Sequence, residues 1–322
     1  MTGADGERIA RQAEEKFQAD RVPIMEPAVL DAGAAFLHFL GTGGNPLNLI
    51  TQERQNGGMY LRYGARSLYI DPGPGAIVHA ARARLPLSWL DAVFISHGHT
   101  DHYLGAGAII EAMCRIMRVR RGRLLLPAQM IASGQIDAYH RGELASSGYP
   151  GGPEVEVLAH GRPVPLPGGA VLTPVRTDHG IEGYGFRFEW EGIRVGYTSD
   201  TRFIQTFRDR HGTVRPVEAG TKLDPGGEVV DSNAWIQEAM GDVDLLVANV
   251  SFFHLFAHRQ FTAVGLRHLL RAGRVGRCIL THFDPSIGSP HATARSVAAW
   301  LEEETGVSCT AAWDGMRVEL IA

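Results

Sequence analysis

Cysteine is scarce. Cys114, Cys278 and Cys309 are the only three in 322 residues, and without a C-x-x-C spacing they signal neither a disulfide framework nor a thiolate zinc site. A reducing cytoplasm is the expected compartment. Long apolar runs are also missing: none approaches the roughly 18 residues of a membrane span, so no membrane partner is expected. Met1 to Asp20 is charged and has no apolar core, which argues against a secretory signal. Nor is the chain basic: 31 Lys and Arg face 35 Asp and Glu, for a net charge of −4. A globally cationic nucleic-acid binder is thereby disfavoured, although a local patch stays open. No internal repeat is visible. The remainder, 44% hydrophobic and 20% charged, is ordinary globular composition with length enough for a substantial core.

The dense feature is Ser96-His97-Gly98-His99-Thr100-Asp101-His102, directly after the apolar run Leu90–Ile95. Three imidazoles and a carboxylate at the end of a buried strand form a cluster of metal-ligand types. Period-two geometry sends His97 and His99 to one side and leaves Asp101 and His102 free to face a second centre. The competing reading is a solvated turn that happens to be rich in histidine.

Along the chain, Ile9, Ala13 and Phe17 recur at helical spacing within residues 6–19, predicting a short amphipathic helix that packs on the body or on a second subunit. Residues 1–30 are therefore read as a helical extension and 31–322 as the catalytic body. The strand Ala34–Leu40 runs into Gly41-Thr42-Gly43-Gly44-Asn45-Pro46, which matches neither phosphate-loop spacing and reads as a tight loop near a site. Met59–Tyr63 and Ser67–Ile70 form a hairpin ending at Asp71, a carboxylate that either orients a ligand histidine or caps an Asx turn. A helix is predicted over 105–117. The run Arg115, Arg118, Arg120, Arg121, Arg123 meets phosphates or is a solvated face. Strands at 124–126, 155–158 and 170–175 follow, with a Gly/Pro loop at 146–153. The pair Tyr184–Trp190 and Ile193–Thr198 turns at Glu191-Gly192 and brings His179 and Asp200 to strand ends. Residues 203–240 are polar and Gly/Pro-punctuated, predicting a long excursion used as a lid or an interface element. A strand at 243–250, a helix at 262–271, a strand at 278–283 ending near His282, a helix at 290–304 and two short strands complete the pattern. The two alternating halves suit two stacked sheets covered by helices.

The ordered set His97, His99, Asp101, His102, His179, Asp200 and His282 resembles the ligand series of the metallo-β-lactamase superfamily, over about residues 34–320. That resemblance implies an α/β, four-layer αββα sandwich of two mixed sheets packed face to face. It also implies one metal held by His97, His99 and His179, a second by Asp101, His102 and His282, and Asp200 bridging. Two zinc ions are expected, with manganese or iron compatible with the same donors, and hydrolysis is the natural chemistry of such a pair. Leu40-Gly41-Thr42-Gly43-Gly44, Asp71-Pro72-Gly73-Pro74-Gly75, Tyr184-Gly185, Ser199-Asp200-Thr201 and Leu280-Thr281-His282 resemble the ribonuclease Z and phosphodiesterase branch. The implied partner is a small-molecule, nucleotide or RNA phosphodiester, and a homo-oligomer is compatible. Asp101 then counts among the catalytic residues, and Arg202 either neutralises transition-state charge or forms a surface ion pair.

Two features depart from ribonuclease Z. Its general-acid histidine lies 22 residues before the last ligand, where this chain has Gln260; His258 and His254 are the candidate substitutes. Only residues 180–199 separate His179 from Asp200, too few for the tRNA-gripping arm of many ribonucleases Z. Lactone or thioester hydrolysis, a mononuclear iron persulfide dioxygenase and a non-catalytic RNA-binding protein are the alternatives.

Overall fold

Short runs of β-branched and aromatic residues between glycine and proline turns define the strands. A computed structural model of the chain describes residues 3–25, 33–144 and 148–320. The expected boundary at residues 30 and 31, and residues 146–147 of the expected Gly/Pro loop, lie outside the described residues. In chain order, β1 (Ala35–Gly41), β2 (Asn56–Tyr63), β3 (Arg66–Ile70), β4 (Ala92–Phe94), β5 (Arg120–Leu126) and β6 (Gly152–Val157) build a first sheet. A second sheet begins with β7 (Val164–Pro165), β8 (Val171–Arg176), β9 (Tyr184–Trp190) and β10 (Ile193–Tyr197). The strands β11 (Ile204–Arg208), β12 (Val214–Pro216) and β13 (Glu228–Ser232) form a small sheet of their own. The second sheet is then completed by β14 (Leu245–Asn249), β15 (Arg277–Thr281) and β16 (Ser308–Ala311), and β17 (Arg317–Glu319) returns to pair with β1. Strand order is 17-1-2-3-4-5-6 in one large sheet and 16-15-14-10-9-8-7 in the other. Each is mixed, antiparallel at one end and parallel at the other.

The helices are α1 (Gly3–Met25), α2 (Asn45–Thr51), α3 (Ala76–Arg82), α4 (Thr100–Tyr103), α5 (Ala106–Met113), α6 (Ala128–Ala132), α7 (Ala234–Met240), α8 (Ala263–Ala272), α9 (Pro285–Gly288) and α10 (His291–Thr305). Three buried cores separate the layers. Between the sheets, Phe94 meets Phe186 edge-on with ring centroids 5.0 Å apart, and Tyr63 meets Phe188 at 5.1 Å. Outside the first sheet, Ile109, Ile110 and Met113 of α5 pack with Val93, Ile95 and Leu124. Outside the second, Leu266 and Leu269 of α8 and Val297 and Leu301 of α10 cover Leu246, Cys278 and Leu280. This is the expected four-layer sandwich, and burial of its alternating apolar faces drives it.

Three expectations need correction. Residues 203–240 are not a lid: Phe203, Ile204, Phe207, Val217 and Leu223 are buried in the outer core of the second sheet. Gly and Pro there punctuate three short strands, and the segment props residues 254–256 through Leu223 N to His254 O (2.9 Å) and Phe256 N to Thr221 O (2.8 Å). The helix expected over 105–117 stops at Met113, and Arg115, Ile116 and Met117 follow with left-handed φ of 52°, 58° and 53°. The arginine run is mostly turned to internal partners. Arg115 sits 4.1 Å from the Trp89 ring centroid, Arg121 donates to Met113 O at 2.8 Å, and Arg123 pairs with Glu156 at 2.8 Å. Arg118 and Arg120 stay exposed, which leaves two of the five facing solvent. Helix α1 exceeds its expected length, and its Ile9 and Phe17 are exposed.

Phe186→Ala should cost roughly 3–5 kcal/mol, since the inter-sheet core collapses only partly around the lost ring. A denaturant-unfolding midpoint reads this, with exposed Ile50→Ala (Ile50 is 80% accessible) expected to move it little.

Candidate metal centre

The seven candidate ligands come from the carboxyl ends of strands of both sheets. His97 and His99 lie in the turn after β4, Asp101 and His102 on α4, His179 after β8, Asp200 after β10 and His282 after β15. The strands β8, β10 and β15 run parallel to one another in the second sheet. Tyr184 N donates to Ser96 O at 3.0 Å, stitching the turn after β4 to the edge of β9. One rim of the sandwich thus collects all seven.

Their inner atoms form two groups, His97, His99, His179 and Asp200, then Asp101, His102 and His282, each within a 4.8 Å span. His99 Nδ1 lies 3.0 Å from both His97 Nε2 and His179 Nε2, and His102 Nε2 lies 3.0 Å from His282 Nε2. Asp200 stands between the groups: Oδ2 is 3.6 Å from His179 Nε2 and 3.5 Å from His102 Nε2, and Oδ1 is 3.3 Å from His282 Nε2.

Outer partners decide where the imidazole protons sit. Ser96 Oγ donates to Asp71 Oδ2 at 2.8 Å, so its contact with His97 Nδ1 at 2.9 Å is one in which the imidazole donates. His102 Nδ1 donates to Asp71 Oδ2 at 2.9 Å. His179 Nδ1 donates to Arg259 O at 3.2 Å. His282 Nδ1 faces Ser251 Oγ at 3.2 Å. With the outer nitrogens of His97 and His179 protonated, their inner nitrogens carry lone pairs directed into the cluster. Converging imidazole nitrogens and carboxylates are the donors a divalent cation requires, and each group fits one.

Electrostatics agree. Burial holds His97 well below the ordinary imidazole value, with neighbouring His102 adding to it, and burial lowers His99 and His179 too. At His102 burial opposes charge, but Asp101, Asp200 and Asp71 outweigh it and raise the group well above its ordinary value. A cation entering there displaces a proton. Burial would raise Asp101 and Asp200, yet the surrounding imidazoles, His102 and His282 foremost, hold both below the usual carboxylate range. Burial and Asp71 push the Tyr197 hydroxyl up, so it stays protonated and donates to Asp71 Oδ2 at 2.7 Å.

Asp200 is clamped by two amides, Asn249 Nδ2 to Oδ1 and Gln260 Nε2 to Oδ2, both at 2.7 Å. The loop at Gly41–Gly44 does lie at the site: a Cβ on Gly44 would fall 2.2 Å from His282 Nδ1, so only glycine lets that ring in. His282, Ser199 and Asp71 take left-handed φ of 60°, 53° and 49°, strain of about 1–3 kcal/mol each that functional sites often hold.

Above the cluster is a cavity of about 510 Å³, walled by Leu49, Phe252, His258, Arg259 and Gln260. The other candidates separate here. His258 is exposed on the rim of this cavity with φ 51°, whereas His254 lines a different, apolar cavity. Arg202 is bound to Asp178, Nε to Oδ2 at 2.8 Å; burial would raise the Asp178 carboxyl, but Arg202 holds it low. The ion-pair reading of Arg202 therefore replaces the transition-state one. Sequence reasoning missed Ser96, Tyr197, Asn249 and Ser251, and it gave Gln260 no positive role. Only Ser96, adjacent to His97, carried a local signal.

A family model described as the beta-lactamase superfamily domain matches residues 66–283. The chain belongs to the metallo-β-lactamase superfamily, and its relatives include several ribonucleases Z. An uncharacterised protein of Methanocaldococcus jannaschii is 34% identical over 172 residues, 52% of this chain and 61% of that one. The ribonuclease Z of Streptomyces coelicolor is 26% identical over 282 residues, 77% of this chain and 87% of that one. The metallo-β-lactamase fold protein YhfI from Bacillus subtilis superposes with a TM-score of 0.64 at 16% identity, covering 88% of this chain and 98% of that one. The match thus spans about three-fifths of the M. jannaschii relative, and 45% of the ribonuclease Z of Archaeoglobus fulgidus. No described helix is long and apolar enough to cross a membrane.

Asp71→Asn leaves the volume but weakens the acceptor that fixes the His102 and Tyr197 contacts. Metal affinity, read by competition with a chromogenic chelator, should fall about 10–100-fold while the unfolding midpoint shifts much less.

Proposed function

We propose that this chain is a dinuclear metal-dependent phosphodiesterase, with zinc as the cation its nitrogen-rich donors suit best and a nucleotide or RNA phosphodiester as substrate. The observation that carries this reading is the pair of ligand groups sharing Asp200. His97, His99 and His179 would hold one cation, Asp101, His102 and His282 the other. Bound there, the pair supplies Lewis acidity and a water of lowered pKa.

The chain's own groups do the rest. Asn249 and Gln260 fix both oxygens of Asp200, so the shared carboxylate does not reorganise during turnover. Arg259 gives the cavity wall cationic character that favours a phosphodiester anion. Leu49 and Phe252 form its apolar side and keep water from the remaining walls. Gln260 has no titratable proton, and its Nε2 is spent on Asp200. A proton for the leaving oxygen therefore comes from His258, the histidine outside the ligand groups that lines this cavity among the described residues. Likeness to ribonuclease Z supports the substrate class. Lactone or thioester hydrolysis is the second reading, favoured by the amide at Gln260, because acyl transfer asks less of a general acid.

Purified protein should carry near two divalent metals per chain and hydrolyse bis(p-nitrophenyl) phosphate in a chelator-sensitive manner. Asp200→Ala should lower kcat by about 10²-fold or more. A single metal per chain with undiminished turnover in Asp200→Ala would sink the dinuclear reading. His258→Ala should lower kcat for poor leaving groups by about 10²–10⁴-fold and leave p-nitrophenolate departure nearly untouched; equal losses for both would remove it as the acid.

A further inference from the structure

On the His179 side of the metal centre lies another cavity, of about 520 Å³. It shares His179, Gly180 and Arg259 with the cavity above the cluster. Gly180 has φ 89°, a conformation that favours a residue without a side chain, so the shared edge stays low.

The outer wall is Arg176, the last residue of β8, with Trp235 of α7. The guanidinium carbon of Arg176 lies 5.1 Å from the Trp235 ring centroid, and the indole N–H donates to the Arg176 carbonyl at 2.8 Å. Trp235 also packs against the outer core of the second sheet. Arg176 itself is exposed and forms no ion pair among the described residues. The pair is thus anchored from below and presents a weakly hydrated cationic plane, the kind of surface on which nucleobases stack. At the inner end, Arg259 reaches Asp178 with one nitrogen at 3.0 Å while half of its side chain stays accessible. The buried Thr177 Oγ1, in the same wall, has no hydrogen-bond partner. By contrast, the apolar cavity on the far side, which shares Phe252, has no arginine or lysine in its wall.

We propose that the Arg176–Trp235 cavity is the subsite for the nucleoside on one side of the scissile phosphodiester. The base lies on the Arg176 plane, and its phosphate passes Arg259 into the adjoining cavity. This rests on the phosphodiesterase reading and deepens it by assigning the nucleoside of that substrate a place on the chain.

The test compares thymidine 5′-(p-nitrophenyl phosphate) with methyl p-nitrophenyl phosphate, which has the same leaving group and no nucleoside, on the metal-loaded full chain. Wild-type kcat/KM should favour the nucleoside ester by about tenfold or more, mainly through KM. Arg176→Ala, and separately Trp235→Leu, should abolish that preference without changing turnover of the methyl ester. Calorimetry with thymidine 5′-monophosphate against inorganic phosphate reads the same contact without catalysis: the nucleotide binds tighter, and Arg176→Ala brings the two to parity. Equal turnover of both esters, unmoved by Arg176→Ala, overturns the subsite and leaves the phosphodiesterase standing. Turnover of neither ester overturns the phosphodiesterase, and the calorimetric comparison then decides the subsite by itself.

Discussion

The carboxylate of Asp71 is the point on which the metal centre hangs. It accepts Ser96 N (2.7 Å), Ser96 Oγ and His102 Nδ1 from the side of the first sheet, and the Tyr197 hydroxyl from the second. One buried acceptor thereby fixes two imidazoles, one directly and one through Ser96, and ties the sheets together at the rim where the ligands gather. Remove its charge and the inner lone pairs lose their orientation, although the sandwich keeps its cores. Stability and function are therefore held by different interactions: edge-to-face aromatics deep between the sheets, and a polar network at one end.

That separation lets the rim carry unfavourable features. Left-handed backbone at Asp71, Ser199 and His282, and the crowding of buried imidazoles and carboxylates in one cluster, each cost free energy in the absence of a cation. Three apolar layers supply the excess that tolerates them, and bound metal would return part of the cost as binding energy that acts on the folded state alone.

The cluster of candidate ligands was legible because four of them sit within six residues and the others end strands whose apolar runs are unmistakable. Asp71 was legible as one of two equal readings, since a carboxylate after a strand serves a turn or a histidine equally well. Asn249 and Tyr197 were not legible: each occupies the end of a strand distant in sequence, and amides and phenols occur everywhere. Gln260 was visible only as the lack of a histidine; its bond to Asp200 depends on a loop path that no local pattern encodes. Residues 203–240 misled because short strands edged by glycine and proline look like loop, while their buried members, Phe203 and Phe207, are too few to show a period. The arginine run misled in the opposite sense, its charge density visible and its stacking on Trp89 invisible.

The same excursion supports one wall of the cavity above the cluster. Residues 252–260 contribute Phe252, His258, Arg259 and Gln260 to the cavity wall but no member of the two ligand groups. Their path, including left-handed His258 and Arg259, is held by backbone bonds from residues 220–223 and by the bridge between Lys222 and Leu255. A change in the connection between β12 and β13 would thus move the wall at Arg259 relative to the cluster without touching a candidate ligand. Arg176 belongs to β8 and stands outside that segment, whereas Trp235 on α7 follows β13 directly, so the platform joins a residue of the sheet to one of the excursion. The candidate ligands sit at strand ends and the cavity walls on a loop, an excursion and a helix, so membership in the superfamily accounts for the first arrangement and leaves the second to particular residues.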